Sequence, residues 1–160
     1  MTQPSYNLNY ASEFSKEDIK TFKSILIDAG EVLSQTFDGL IEKNPILMFI
    51  PNPKNIDAIG ALKTPNLGYK KSVFKESKTN LNPNDFIFEL GWIVSLKTNR
   101  GNGQLLIQIL GEYVPKSYST VREDNKVMIR LLTRNGYKQT GFAYKSKRGN
   151  YKNLLFVKEK

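Results

Sequence analysis

The sequence predicts an α/β (α+β) fold, a single mixed sheet with helices packed against it, and three observations carry that reading. Ile46 to Ile50 is a continuous apolar run held between Pro45 and Pro51, a length that suits a buried strand and not a helix. In the second half of the chain, strand-like segments alternate with single helical ones, which argues for a partly parallel sheet. The chain has 160 residues, 39% hydrophobic and 24% charged, with no repeat and no low-complexity tract. That is the size and balance of one domain, expected over 1–160.

The elements follow in order. Tyr6 to Tyr10 allows a short extra strand. Ser15 with Asp18 three residues on is a helix start, and Ile19, Phe22, Leu26 and Ala29 repeat at helical spacing up to Gly30. A second helical pattern covers Val32 to Ile41 and ends at Asn44-Pro45. Ile46–Ile50 and Ile56–Leu62 form a hairpin about the turn Pro51 to Asn55. Lys63 to Asn84, rich in Lys, Asn, Ser, Thr and Pro, reads mostly as loop. Phe86 to Leu96 is the clearest strand, with Phe86, Phe88, Leu90, Trp92 and Val94 on one face and Glu89 on the other. Gly91 within it suggests a bulge or a close approach. A nearly all-apolar helix runs from about Gly103 to Tyr113, so it is expected to be buried on most sides. Tyr118–Val121 is a short strand. A helix capped by Asp124 or Asn125 follows and stops at Asn135-Gly136. Lys138–Tyr144 and Tyr151–Val157 are strands joined through Gly149-Asn150.

Composition removes several chemistries. With no cysteine there is no disulfide, thiolate metal site or cysteine nucleophile. With no histidine there is no Ser-His-Asp triad, imidazole base or His-rich zinc site, so no metal is expected. A general base must be Asp, Glu, Lys, Tyr or water. No apolar run approaches the ~20 residues of a membrane span, so no membrane partner is expected. Met1 to Tyr10 lacks the pattern of a secretory signal, and a cytoplasmic location is expected. The net charge is +9, concentrated in Lys63, Lys70, Lys71, Lys75 and Lys78 and again from Arg134 to Lys160. Such a field attracts polyanions, and it also fits a solvated basic surface.

Arg100-Gly101-Asn102-Gly103 lies where an apolar strand gives way to an apolar helix. Glycine allows positive φ and close backbone approach, and the opening amides of a helix favour a phosphate. Taken alone, the stretch reads better as a plain turn before a helix. With Asn125, an apolar ladder and Gly136-Tyr137 eleven residues on, the chain resembles the GNAT family of N-acetyltransferases. Arg100-Gly101-Asn102-Gly103-Gln104-Leu105 matches the family's Gln/Arg-x-x-Gly-x-Gly/Ala at its first and fourth positions, after a strand with a central irregularity. The resemblance spans about Pro45 to Val157 and is strongest from Phe88 to Tyr137.

The resemblance implies a centrally splayed mixed sheet of six to seven strands with about four helices, and transfer of an acetyl group from acetyl-coenzyme A to a primary amine. Backbone groups of Ile93, Val94 and Ser95 would meet the pantetheine arm, the amides of Arg100, Gly101, Asn102, Gly103, Gln104 and Leu105 the pyrophosphate, and Asn125 the sulfur end. An N–H near Ile93 would meet the oxyanion. The acceptor would enter beside Gly91 and Ser119. Leu105 stands where the family has a small residue, and Leu132 where many members have a tyrosine acid. Tyr144 is the substitute acid expected here. Glu89 is the expected base, although a strand-edge carboxylate paired with a lysine fits its position too. Ser95 and Ser119 are the residues that could order a water.

Two basic, aromatic-bearing segments, Lys63 to Lys78 and Tyr144 to Tyr151, suit phosphate contact and base stacking. Tyr144 and Tyr151 also fit as ordinary cross-strand partners. The acceptor is therefore an amine-bearing molecule of open class. The alternative is a nucleic-acid-associated protein of the same fold, which modifies a base or a tRNA-borne amine or binds without catalysis. A monomer or homodimer is expected.

Overall fold

The structure is a computed structural model and describes residues 5–98 and 100–160; Met1 to Pro4, the start of the polar N-terminus, lie outside it. It holds a mixed seven-stranded sheet in the order β1-β2-β3-β4-β5-β7-β6. The chain divides into two compact units, residues 1–64 with 91–106, and residues 65–90 with 107–160.

The first unit contains β1 (Asn7–Tyr10), α1 (Lys16–Asp28), α2 (Ser34–Ile41), β2 (Ile46–Asn52) and β3 (Asn55–Lys63). It also holds the second half of β4 (Phe88–Ser95) and the start of α4 (Asn102–Tyr113). Ser15 caps α1 by accepting from the Asp18 N–H at 3.1 Å. Gly30, at φ +73°, closes it, and the Glu31 N–H returns to the Leu26 carbonyl. β1 and β3 flank β2 in antiparallel register, with Leu47 opposite Ala61 and Phe49 opposite Ile59. Phe22 and Leu26 of α1 and Phe37 and Leu40 of α2 close over that face. Each such side chain contributes about 1.5–3 kcal/mol by leaving water.

The second unit contains α3 (Leu67–Ser77), the first half of β4, the rest of α4, β5 (Lys116–Arg122), α5 (Lys126–Arg134), β6 (Lys138–Lys145) and β7 (Lys152–Glu159). β5 runs parallel to β4 and antiparallel to β7, and β7 is antiparallel to β6. Val73 and Phe74 of α3 pack with Phe86, Tyr118, Leu155 and Val157. The Phe74 ring lies edge-on to Tyr118 at 5.3 Å.

Two expectations are corrected. The stretch expected as loop from Lys63 to Asn84 holds α3, which brings the α-helices among the described residues to five. Its buried face is Lys70, Val73, Phe74 and Ser77, so a lysine and a serine interrupt the apolar spacing that marks a helix. The irregularity of β4 is at Trp92, with φ +53°, rather than at Gly91. Trp92 stacks on Phe37 at 5.1 Å and meets Phe22 edge-on at 6.1 Å. Gly91 is instead a site of close approach: a Cβ there would stand 3.0 Å from Lys63 Cε. The Lys63 ammonium lies 5.1 Å over the Trp92 ring.

Candidate functional site

In the first unit, β4 ends in a tethered turn. The Leu96 and Lys97 N–H groups donate to the Asp57 carbonyl at 2.7 and 3.2 Å, and Lys97 Nζ pairs with Asp57 Oδ1 at 2.9 Å. The Ser95 hydroxyl donates to the Lys97 carbonyl at 2.9 Å, so it fixes this turn. Ile93 and Val94 are half-buried just before it. Gly101, at φ +73°, turns the chain into α4, and the Leu105 N–H bonds to the Gly101 carbonyl at 3.1 Å. Asn102 and Gly103 therefore form the opening turn, whose amides have no acceptor within the helix. The Leu105 amide is already inside the helical ladder. Asn102 Nδ2 donates to the Lys97 carbonyl at 3.3 Å and ties the helix start to the strand end. Arg100 and Gly101 are exposed, and Gln104 and Leu105 half-buried.

In the second unit the parallel ladder of β4 and β5 sets Phe88 opposite Ser117 and Glu89 opposite Tyr118. The next bond comes from a side chain, the Ser119 hydroxyl donating to the Leu90 carbonyl at 2.9 Å. Ser119 is thus occupied in joining the two strands. Glu89 is only 4% exposed, unusual for a carboxylate. The Tyr69 hydroxyl, from α3, donates to Glu89 Oε2 at 3.2 Å. Tyr69 keeps 46% of its surface exposed, and its hydroxyl end is the part that is covered. Burial pushes the Tyr69 phenol far above its ordinary value, the Glu89 charge adds to that, and a hydrogen bond with Thr120 offsets part of it. Tyr144 of β6 is raised by burial and then by Glu89. Tyr118 is raised by burial and then by Glu89, Tyr69 and Tyr144 in turn. Glu89 therefore lies among three phenols that stay protonated across the neutral range.

The Tyr118 hydroxyl is buried and has no hydrogen-bond partner among the described residues. Tyr137, by contrast, shares a 2.7 Å bond with Ser117, and burial still pushes it up to about 12. Asn125 caps α5, its Oδ1 accepting from the Met128 N–H at 3.2 Å. Leu132 is fully buried, a core residue of α5.

The expected residues thus separate by unit. Ile93, Val94, Ser95 and Arg100 to Leu105 lie in the first, and Glu89, Ser119, Asn125 and Tyr144 in the second. The structure adds Tyr69 and Tyr118 to Glu89 and Tyr144. Tyr69 fell in the supposed loop, and its spacing of four to Val73 was the available signal of a helix there. The partnership of Tyr118 with Glu89 depends on strand register, which no local pattern encodes. Among the described residues no three acidic side chains group as a metal site, and no helix is long and apolar enough to cross a membrane.

No protein-family model matches the chain, and no curated protein matches it. Solved structures do resemble it. A GNAT-family acetyltransferase from Bacillus cereus aligns over 97% of both chains at 16% identity, with a TM-score of 0.65. Arabidopsis thaliana NAA60, solved with acetyl-CoA, aligns over 98% of this chain and 100% of its own at 13% identity and TM-score 0.66. The Escherichia coli ribosomal-protein-S18-alanine N-acetyltransferase aligns over 96% and 92% at 14% identity and TM-score 0.64. At such identities the likeness is one of architecture, and it agrees with the strand order, the parallel β4–β5 pair and the glycine turn into α4: the chain has the GNAT N-acetyltransferase fold.

Proposed function

We propose that the protein is an N-acetyltransferase that moves an acetyl group directly from acetyl-coenzyme A to a primary amine. The observation that carries this is Glu89, a buried carboxylate at the last register pair of a parallel ladder, surrounded by phenols. An amine attacks a thioester only as the free base, so a nearby carboxylate has a defined task, to take the ammonium proton. The acceptor nitrogen then bonds to the acetyl carbon, the carbon–sulfur bond breaks, and the departing thiolate takes up a proton. RNH3+ and the thioester become RNHAc, the free thiol and H+. Tyr144, held protonated, is the proposed donor toward the thiolate. Asn102 and Gly103 supply opening helix amides suited to a pyrophosphate, behind a turn that Gly101 makes possible. Ile93 and Val94 offer strand backbone to the pantetheine arm, and Asn125 is the proposed contact at its sulfur end.

The test is a melting curve with acetyl-coenzyme A. A site occupied at one hundred times Kd stabilises the fold by about 2.7 kcal/mol. No shift at millimolar concentration would reject the proposal. A second reading, binding of nucleic acid without catalysis, is favoured by the bond from Lys147 Nζ to Ser72 Oγ at 3.1 Å, which joins the two basic segments. It predicts salt-sensitive RNA binding with no response to acetyl-coenzyme A.

A further inference from the structure

The second unit layers two opposite charges. Inside is Glu89 with Tyr69, Tyr118 and Tyr144 around it. Outside are the exposed Lys71 and Lys75 of α3 and the exposed Lys145, Lys147 and Arg148 of the β6–β7 hairpin. The layers meet at α3: Lys147 bonds to Ser72 at 3.1 Å, three residues beyond Tyr69 and so on the same side of the helix. No acidic residue occurs between Lys138 and Lys158. The rim therefore has no local counter-charge on its own hairpin. The buried, unpartnered Tyr118 hydroxyl, across the ladder from Glu89, is the sign that the inner layer receives a polar ligand.

A purely cationic acceptor would be repelled by the rim, and a purely anionic one by Glu89. A molecule that carries both charges satisfies both layers. We propose that the acceptor is a primary amine borne on a phosphate-bearing molecule, with the ammonium on Glu89 and the phosphate on Lys145, Lys147 and Arg148. This rests on the N-acetyltransferase reading and names the substrate class for it. Phosphate rather than carboxylate is indicated by the clustering of several bases on one edge, which a multiply charged group satisfies at once.

The experiment measures acetyl transfer by mass spectrometry for matched pairs at low salt: O-phosphoethanolamine against ethanolamine, glucosamine 6-phosphate against glucosamine, and an RNA bearing a 3′-aminoacyl ester against the methyl ester of the same amino acid. The phosphate-bearing member of at least one pair is expected to have a kcat/KM at least tenfold higher. The RNA pair responding indicates a nucleic-acid carrier, and a small-molecule pair indicates a free metabolite. Substituting glutamate at Lys145, Lys147 and Arg148 together is expected to bring the ratio to about one, chiefly through KM. R148E alone, expected to lower it in part, serves if the triple variant does not fold. K16E with K20E, on α1 of the other unit, is the charge-reversal control and keeps the ratio. Equal rates within every pair, or a ratio that survives charge reversal, would overturn the proposal. So would transfer to no phosphate-bearing amine while acetyl-coenzyme A still raises the melting temperature, which leaves the acetyltransferase reading standing. No rise with acetyl-coenzyme A strikes that reading itself.

Discussion

At the scale of single residues, the Glu89 cluster separates stability from activity. A buried hydroxyl without a partner costs about 1–3 kcal/mol of desolvation. Tyr118→Phe removes that group and keeps the ring against Phe74, so at pH 8 the variant is expected to melt higher, by about 2–4 °C per kcal/mol gained. The alkaline limb gives an independent sign. Tyr118 has a folded pKa above its unfolded value of ~10, so the unfolded chain loses its proton first as pH rises. Its contribution is full below pH ~10 and is lost as pH rises beyond that. Tyr118→Phe should therefore flatten the fall in stability above pH ~10, and an unchanged slope would show that the hydroxyl is not buried in solution. Glu89→Gln preserves shape and hydrogen-bonding capacity but cannot take a proton. It is expected to lower kcat by about 10²–10⁴ while the melting shift with acetyl-coenzyme A is kept. A kcat close to that of the parent would remove Glu89 from the role of base.

At the scale of elements, the contact between α3 and β6 has the least tolerance. Gly141 sits at φ +69° in the bulged part of β6, and a Cβ there would lie 2.2 Å from the Ser77 carbonyl oxygen. Gly141→Ala thus meets both a disfavoured backbone region and a clash with backbone. A loss of about 2–4 kcal/mol is expected, read as a lower denaturant midpoint at constant slope. A loss within 0.5 kcal/mol would mean that α3 is not seated on β6 as described.

The same two elements show what could be read from the chain. The strand and helix order of β2, β3, α4, α5 and the final hairpin was legible, because apolar spacing and Pro, Gly and Asn punctuation act locally. The N-cap of α5 and the turn into α4 were legible for that reason too. α3 was not, because its inward positions include Lys70, whose buried Nζ donates to the Phe86 carbonyl at 3.0 Å. A lysine that buries its stem and satisfies a carbonyl is core in the structure and loop in the composition. The unusual backbone is at Trp92, one residue beyond Gly91, although glycine is the obvious place for it. Here the stacking of Trp92 on Phe37 holds a conformation that costs about 1–3 kcal/mol. Of the candidate site, Glu89 and Tyr144 were named from strand face and family resemblance, whereas the neighbourhood of Glu89 with Tyr69 of α3 and Tyr118 of β5 needed the packing and the register.

At the scale of the whole molecule, the charge of +9 acts beyond any one contact. If the first unit receives coenzyme A at the opening turn of α4, a ligand with a pyrophosphate and a 3′-phosphate approaches a strongly cationic protein. Attraction of that kind is screened over ~10 Å at 0.1 M salt and ~3 Å at 1 M. It acts mainly on association, because steering happens before contact. Affinity for coenzyme A is therefore expected to fall about tenfold between 50 and 500 mM salt, mostly through a slower on-rate. Dephospho-coenzyme A, with less charge, should show a shallower slope. Stopped-flow binding at several salt concentrations measures both. A salt-independent on-rate, or equal slopes for the two ligands, would mean that the basic excess does not face the cofactor. The lysines of α3 and the hairpin would then be free to serve the acceptor alone.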